Sequence, residues 1–417
     1  MDFIKESIIQ NQHWESGRIE FPRSGPHLIQ RDAFPLLERY GESKFITLVR
    51  GLRRCGKSVL VRQHLQKMLE KGVQPKSIAW FEFDRQMNTT PDDLDFIIQY
   101  FFSRGVRTIV LDEIQFVSQW QDVLKRHYDR TDVKFILTGS SALELDRRSA
   151  ESMAGRFEQV SLKPFNFGEY LDLKGLKPAH EHETEKNAPQ LMRACEEYLA
   201  GTGLPEAIPM DGPERKKEYI RSTVMDPLFY KDIPVVFPSA KPDFLLRILE
   251  LLAPCIGREY TYQSIANVLQ CSYPIIAENI GILERSLLVR TAYNYTGSLT
   301  KQKRTAKKII FSDNGIASLF DPALAIGFLA ENAVAIHTDA GHFYRDAAGH
   351  EVDIILPEKK LAIEVKYQSH IQQDDENGLR HFLGLYPDFR GIVLTKNEKK
   401  EGRIRHIPLW RFLLGKE

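Results

Sequence analysis

Apolar residues along this chain arrive in two rhythms. Unbroken, β-branched runs at 45–49, 77–84, 108–115 and 133–141 have the length and composition of buried strands. Between them the spacing turns helical. Val59, Leu60, Leu65, Met68 and Leu69 follow helical spacing up to a stop at Gly72, and Leu94, Ile97, Ile98, Phe101 and Phe102 do so over 91–102. A short helix over 31–40 leads into the first strand. Strands alternating with helices predict a parallel α/β sheet whose site lies at the strand C-termini.

The rhythm changes after Leu171. Residues 174–190 are polar, rich in His, Glu and Pro, and read as a loop. His180 and His182 have no Cys or carboxylate cluster at ligand spacing to support them as metal ligands. From 191 to 231, helical signals broken by Gly201, Gly203, Pro205 and Pro209 predict a small helical lid. Helices then follow at 244–252, 261–269 (capped by Thr261) and 274–286, with strands at 287–292 and 307–311. That order resembles a winged helix-turn-helix. A helix at 328–334 and two strands of alternating polarity, 350–356 and 360–368, complete the pattern.

The first strand and helix are joined by Gly51-Leu52-Arg53-Arg54-Cys55-Gly56-Lys57-Ser58, with Val59 continuing into the helix. Strand, GxxxxGK[ST] loop and helix is the context in which this spacing cradles phosphate. Glycine at 51 and 56 lets backbone amides turn inward, and the helix N-terminus adds partial positive charge. Lys57 is then expected to reach the β/γ oxygens of ATP, and the Ser58 hydroxyl to hold Mg²⁺. The strand at 108–115 ends in Asp112 and Glu113. Asp112 suits the organisation of Mg²⁺ and its waters, and Glu113 the activation of water. Thr138 and Ser140 at the end of the next strand fit beside the metal and γ-phosphate, or a plain polar strand-to-loop turn.

Composition narrows the setting. The 417 residues suggest two to four domains, and 42% hydrophobic with 27% charged residues is ordinary for a globular protein with a sizeable core. A net charge of +1 advertises no global nucleic-acid field, so any basic patch is local. Four scattered cysteines form no C-x-x-C pair or disulfide framework, no signal peptide opens the chain, and no apolar run is long enough for a membrane span. A cytoplasmic protein is the expectation.

The phosphate loop, the Asp112-Glu113 strand and Leu137-Thr138-Gly139-Ser140-Ser141 together resemble the AAA-type P-loop ATPases of bacteria and archaea. More narrowly they resemble the group carrying a C-terminal restriction-endonuclease-like, PD-(D/E)xK domain. Gly155-Arg156 and the stretch 162–170 are similar to that group's Gly-Arg and Pro-Leu-Ser-Phe motifs, with Phe165-Asn166-Phe167 where Leu-Ser-Phe is usual. The resemblance implies that Arg156 senses the γ-phosphate, within its subunit or across the interface of a homo-oligomer, with Arg147 and Arg148 as rivals.

Asp353 followed by Glu364-x-Lys366 matches the D…(D/E)xK arrangement of that endonuclease-like fold. Residues two apart on a strand share a face, and Asp353 on a neighbouring strand can meet them, giving carboxylates for Mg²⁺ and an ammonium to position water. Glu331 offers a third carboxylate, and Gln368 extends the face. A hairpin with cross-strand salt bridges also produces Glu-x-Lys, and the ordered series favours the endonuclease-like reading.

The expected architecture is therefore α/β throughout: an N-terminal segment with a P-loop AAA-type core (1–170), a helical lid (171–240), a winged helix (241–322) and an endonuclease-like domain (323–417). The expected activity is Mg²⁺-dependent ATP hydrolysis, acting on or with DNA, or else a nucleotide switch that docks a protein partner. The helix at 272–282 contains no Lys or Arg and includes Glu278, so DNA contact would follow structure rather than sequence. The wing carries Lys301, Lys303, Arg304, Lys307 and Lys308, suited to DNA phosphates or to solubility.

Overall fold

The four apolar runs become strands of one parallel sheet: β1 (Ile46–Gly51), β2 (Ile78–Glu82), β3 (Thr108–Asp112) and β4 (Lys134–Gly139), joined by β5 (Phe157–Leu162) in the order β2-β3-β4-β1-β5. β3 is buried along its whole length, which is why it reads as a continuous apolar run rather than an alternation. β5 carried no such signal. It is an edge strand whose buried positions are Val160 and Leu162, with Ser161 between them and Glu158 and Gln159 before them. The structure is a computed structural model and describes residues 3–21, 28–83, 88–139, 155–296 and 306–416. Ser140, Arg147, Arg148, Lys301, Lys303 and Arg304 lie outside the described residues.

Helices Lys57–Glu70, Pro91–Ser103 and Trp120–Arg130 connect the strands. The second starts on a capping box in which Thr90 and Asp93 satisfy each other's backbone amides. Phe81, Phe101, Ile109, Phe135 and Leu137 share the core with them. The N-terminal segment covers the free edge of β2. Asn11 Nδ2 donates to Trp80 O at 2.8 Å while its Oδ1 accepts from Trp80 N at 2.6 Å, and Trp14 Nε1 donates to Ile78 O at 2.6 Å. Side chains thus take the backbone bonds that another strand would otherwise recruit.

The chain divides into two compact units, 1–163 with 226–239, and 164–225 with 240–417. This corrects the expected lid: 171–225 groups with the second unit and 226–239 with the first, so 171–240 is not one element. Residues 174–190 are also not all loop, since Glu181–Lys186 is helical and the helix Ala188–Ala200 begins inside them. Arg411 supplies the missing reason. It pairs with Glu181 and Glu185, one turn apart on the same face, the latter at 2.8 Å.

The second unit is built on an eight-stranded sheet in the order β13-β12-β11-β10-β9-β7-β8-β6. These are β6 (Glu259–Tyr260), β7 (Val289–Asn294), β8 (Lys307–Phe311), β9 (His342–Arg345), β10 (Glu351–Leu356), β11 (Leu361–Lys366), β12 (Arg390–Thr395) and β13 (Ile404–Pro408). β7 pairs with β9 through Tyr293 and Asn294, so the expected boundary at 322/323 does not divide two sheets. Helices Tyr262–Val268 and Tyr273–Arg285 precede β7. Among the described residues, no helix is long and apolar enough to cross a membrane.

His64, on the helix after the phosphate loop, gives the first unit a pH liability. It is buried against Gly41, where an added Cβ would lie 2.4 Å from Nε2, and neither ring nitrogen has a hydrogen-bond partner. Burial lowers it from 6.5 to about 4. The unfolded chain therefore takes up the proton first, and stability falls as pH drops from 6.5 towards 4. Chemical denaturation at pH 7 and pH 5 is expected to differ by about 2 kcal/mol from this residue. His64→Leu should shrink the pH 7-to-5 difference by that amount, and an undiminished difference would assign the liability elsewhere.

Candidate functional site

Three strand ends build the site. β1 delivers Gly51 to the phosphate loop, and Gly51 is required by crowding rather than by its backbone angle. An added Cβ would stand 2.3 Å from the Leu162 carbonyl oxygen of β5 and 2.8 Å from Cys55 Sγ. Gly56 turns the loop into the helix at φ 98°, the left-handed region that glycine tolerates. Lys57 is buried and lies across the loop, its Nζ donating to Gly51 O at 3.2 Å and to Leu52 O at 3.1 Å.

β3 delivers Asp112, which is 1% exposed. Ser58 Oγ donates to its Oδ2 at 2.9 Å, and Thr138 Oγ1, from the end of β4, donates to Oδ1. Thr138 Oγ1 also accepts from Glu113 N at 3.3 Å. Burial and the adjacent Glu113 carboxylate push Asp112 up to about 7, against the hydrogen bonds from Thr138 and Ser58. Glu113 adopts φ 55°, rare for a residue with a side chain and costly enough to mark a constrained position. Its carboxylate accepts from Gln115 Nε2. Carboxylate and hydroxyl oxygens are hard donors, so Ser58 and Asp112 fit Mg²⁺ as a donor set.

Two braces were not legible from local pattern. Arg31, 6% exposed, donates through Nη1 to Cys55 O and through Nη2 to Lys163 O, both at 2.7 Å, tying the loop to the residue after β5. Arg53 grips fully buried Asp232 with two bonds, Nε to Oδ2 at 2.5 Å and Nη2 to Oδ1 at 2.7 Å. Asp232 lies 179 residues downstream, so no spacing rule finds it.

Arg156 stands apart from this group. Its carbonyl accepts from Ile46 N at 2.8 Å at the start of β1, and its guanidinium pairs with Asp129. Gly51 is at the other end of β1, about 16 Å away along a strand. The structure does not bring Arg156 to the phosphate loop of its own subunit.

In the second unit, Glu331 lies on helix Ile326–Thr338, Asp353 on β10, and Glu364 and Lys366 on β11. Lys366 Nζ pairs with Glu364 Oε1 at 2.7 Å, and Asp353 Oδ2 accepts from Val365 N at 2.9 Å. Burial followed by Asp353 pushes Glu331 up to about 7 and Glu364 up to about 8. Gln368 is not part of this cluster. It follows the end of β11 and its amide donates to Asp375 at 2.7 Å. Lys308, read as a wing cation, is instead buried among the carboxylates, pairing with Glu331 at 2.8 Å, Glu351 at 2.7 Å and Asp353 at 3.3 Å. Lys307 is buried as well. Neither supplies an exposed wing charge.

Comparison with known proteins divides the chain into three stretches, which do not coincide with the two compact units. Residues 43–171 match the family model described as AAA domain, 192–324 a domain of unknown function (DUF8612), and 326–412 another (DUF4143). Two uncharacterized proteins of Methanocaldococcus jannaschii are similar along most of the chain. One is 27% identical over 413 residues, covering 89% of this chain and 85% of that one, and the other 27% over 402 residues, covering 88% of each. An uncharacterized Haemophilus influenzae protein is 26% identical over 290 residues, covering 67% of this chain and 70% of its own. Among solved structures, Aeropyrum pernix Orc1 in complex with DNA gives 14% identity, TM-score 0.31, and coverage of 72% of this chain and 94% of that one. Pyrobaculum aerophilum Cdc6p gives 11%, 0.30, and coverage of 76% and 99%. The family match over 43–171 and the five-stranded parallel sheet support an AAA-type P-loop ATPase fold for the first unit.

Proposed function

We propose that the first unit binds Mg²⁺–ATP at the C-terminal ends of β1, β3 and β4 and hydrolyses it. The observation that carries this reading is the meeting of Ser58 and Asp112, 54 residues apart, at 2.9 Å beside a buried Lys57. A chance GxxxxGKS turn gives no reason for the loop serine to bond a buried acid on another strand. In the proposed mechanism the loop amides and Lys57 take the triphosphate, Lys57 exchanging its two carbonyl partners for phosphate oxygens. Ser58 and Asp112 hold the metal, which when bound neutralises phosphate charge and orients the reacting group. Glu113 positions and deprotonates the attacking water, and Thr138 holds both Asp112 and the Glu113 backbone in register. Arg156 has no part within its own subunit in this scheme, and a role across an interface would require a second copy.

For the second unit, one observation favours a nucleotide-dependent protein-docking role over action on DNA. Lys307 and Lys308 are buried, while Val268, Tyr273 and Ile275, on or beside the two helices that precede β7, are exposed. That surface offers apolar contact and few cations among the described residues.

Lys57→Ala is expected to abolish ATP binding or turnover. Glu113→Gln should keep ATP affinity and lose turnover by about 100-fold or more; wild-type turnover in Glu113→Gln would refute its assignment as the base. On the docking reading, linear, single-stranded and branched DNA all leave the ATP turnover rate unchanged. Stimulation by any one of them would favour the DNA reading instead.

A further inference from the structure

Lys308 reaches an unexpected place. Two strands, β7 and β9, separate β8 from β10 in the sheet order, and a flat sheet would hold β8 and β10 about 14 Å apart. Yet Lys308 Nζ on β8 lies 3.3 Å from Asp353 Oδ1 on β10, on the far side of the short β7–β9 pairing. The ammonium is enclosed, with 4% of the side chain exposed, and touches one oxygen each of Glu331, Glu351 and Asp353. Its backbone is fixed from both sides, since Lys308 pairs with Ala292 of β7 and Glu259 of β6.

Three further oxygens around it have partners of their own. Glu351 Oε2 is shared with Arg345 at 3.2 Å, Asp353 Oδ2 takes the Val365 amide, and Glu364 Oε1 takes Lys366. Glu364 Oε2 is buried with no hydrogen-bond partner. An enclosed carboxylate oxygen without a donor costs free energy, and it is the kind of atom that a further cation would satisfy. A divalent ion bound between Glu331 and Asp353 would need these oxygens at about 2.0–2.6 Å, in the volume the ammonium already fills. The two cations cannot share it.

We propose that Lys308 is a resident cation that takes the place of a divalent metal between Glu331 and Asp353, so that this carboxylate pocket is closed to metal, and to metal-dependent hydrolysis, while Lys308 stays in place. Removing the ammonium converts the pocket into a divalent-cation site completed by Glu364. This inference is independent of the ATPase reading of the first unit.

The test is Mn²⁺ binding to the full-length, nucleotide-free chain, followed by electron paramagnetic resonance and thermal unfolding. Wild type is expected to show no Mn²⁺ site that depends on Asp353. Lys308→Met should gain one Mn²⁺ per chain, tighter by about tenfold or more than any binding by wild type, and lose it again on adding Glu364→Gln. Its melting temperature should fall without metal and rise with Mn²⁺, whereas the wild-type value does not move. If Lys308→Met does not fold, Lys308→Gln retains hydrogen-bond donors and carries the same expectation. Folded Lys308 variants that gain no Mn²⁺ overturn the proposal. So does a wild-type Mn²⁺ site that Asp353→Asn abolishes and Asp112→Asn does not, a result that also decides the matter should neither Lys308 variant fold.

Discussion

A buried carboxylate must be bonded on every side or it destabilises what surrounds it, and Asp112 imposes that demand on the first unit. It meets it with hydroxyls drawn from two other strand ends, Ser58 after β1 and Thr138 at the end of β4. The register of the central strands is tied in this way to the geometry of the phosphate loop. A one-residue slip of β3 would carry Asp112 to the opposite face and leave both hydroxyls without it. Glu113 then leaves the strand through a left-handed turn, which separates two adjacent carboxylates into different surroundings.

The braces around this centre act on the loop rather than on the ligand. Arg31 pulls the Cys55 carbonyl towards the end of β5, and Arg53 is anchored on an acid that is itself fully buried. Both fix loop backbone before any phosphate arrives, so less ordering is left to be done on binding. The second unit solves the same electrostatic problem differently. Its half-buried acids Glu331 and Asp353 are balanced by one ammonium carried on β8.

What was legible in the sequence is what is local. A strand buried on both faces announces itself as an apolar run, and the loop from Gly51 to Ser58 joins its strand and helix directly, so the three-part pattern needs no long-range information. Asp112 is legible because strand C-termini are where such sheets present chemistry. The failures share a cause. β5 is an edge strand with few apolar positions, and the helix Glu181–Lys186 is polar because its anchor, Arg411, lies far downstream. Arg156 sits beside a recognisable motif, but the parallel pairing of β5 with β1 carries it to the wrong end of the sheet. Lys308 reads as a solvated wing cation because nothing local reveals that its ammonium meets acids on β10 and on helix Ile326–Thr338.

On the proposed function, Asp112 and Ser58 form a metal-dependent nucleotide site. Equilibrium binding of ATP to wild type and Asp112→Asn, each in Mg²⁺ and in EDTA, tests it most directly. Wild type should bind one ATP per chain in Mg²⁺, about tenfold or more weaker in EDTA, and Asp112→Asn should bind ATP weakly and indifferently to metal. Wild-type binding that is equally tight with and without Mg²⁺, or a variant that keeps the full metal dependence, would contradict it.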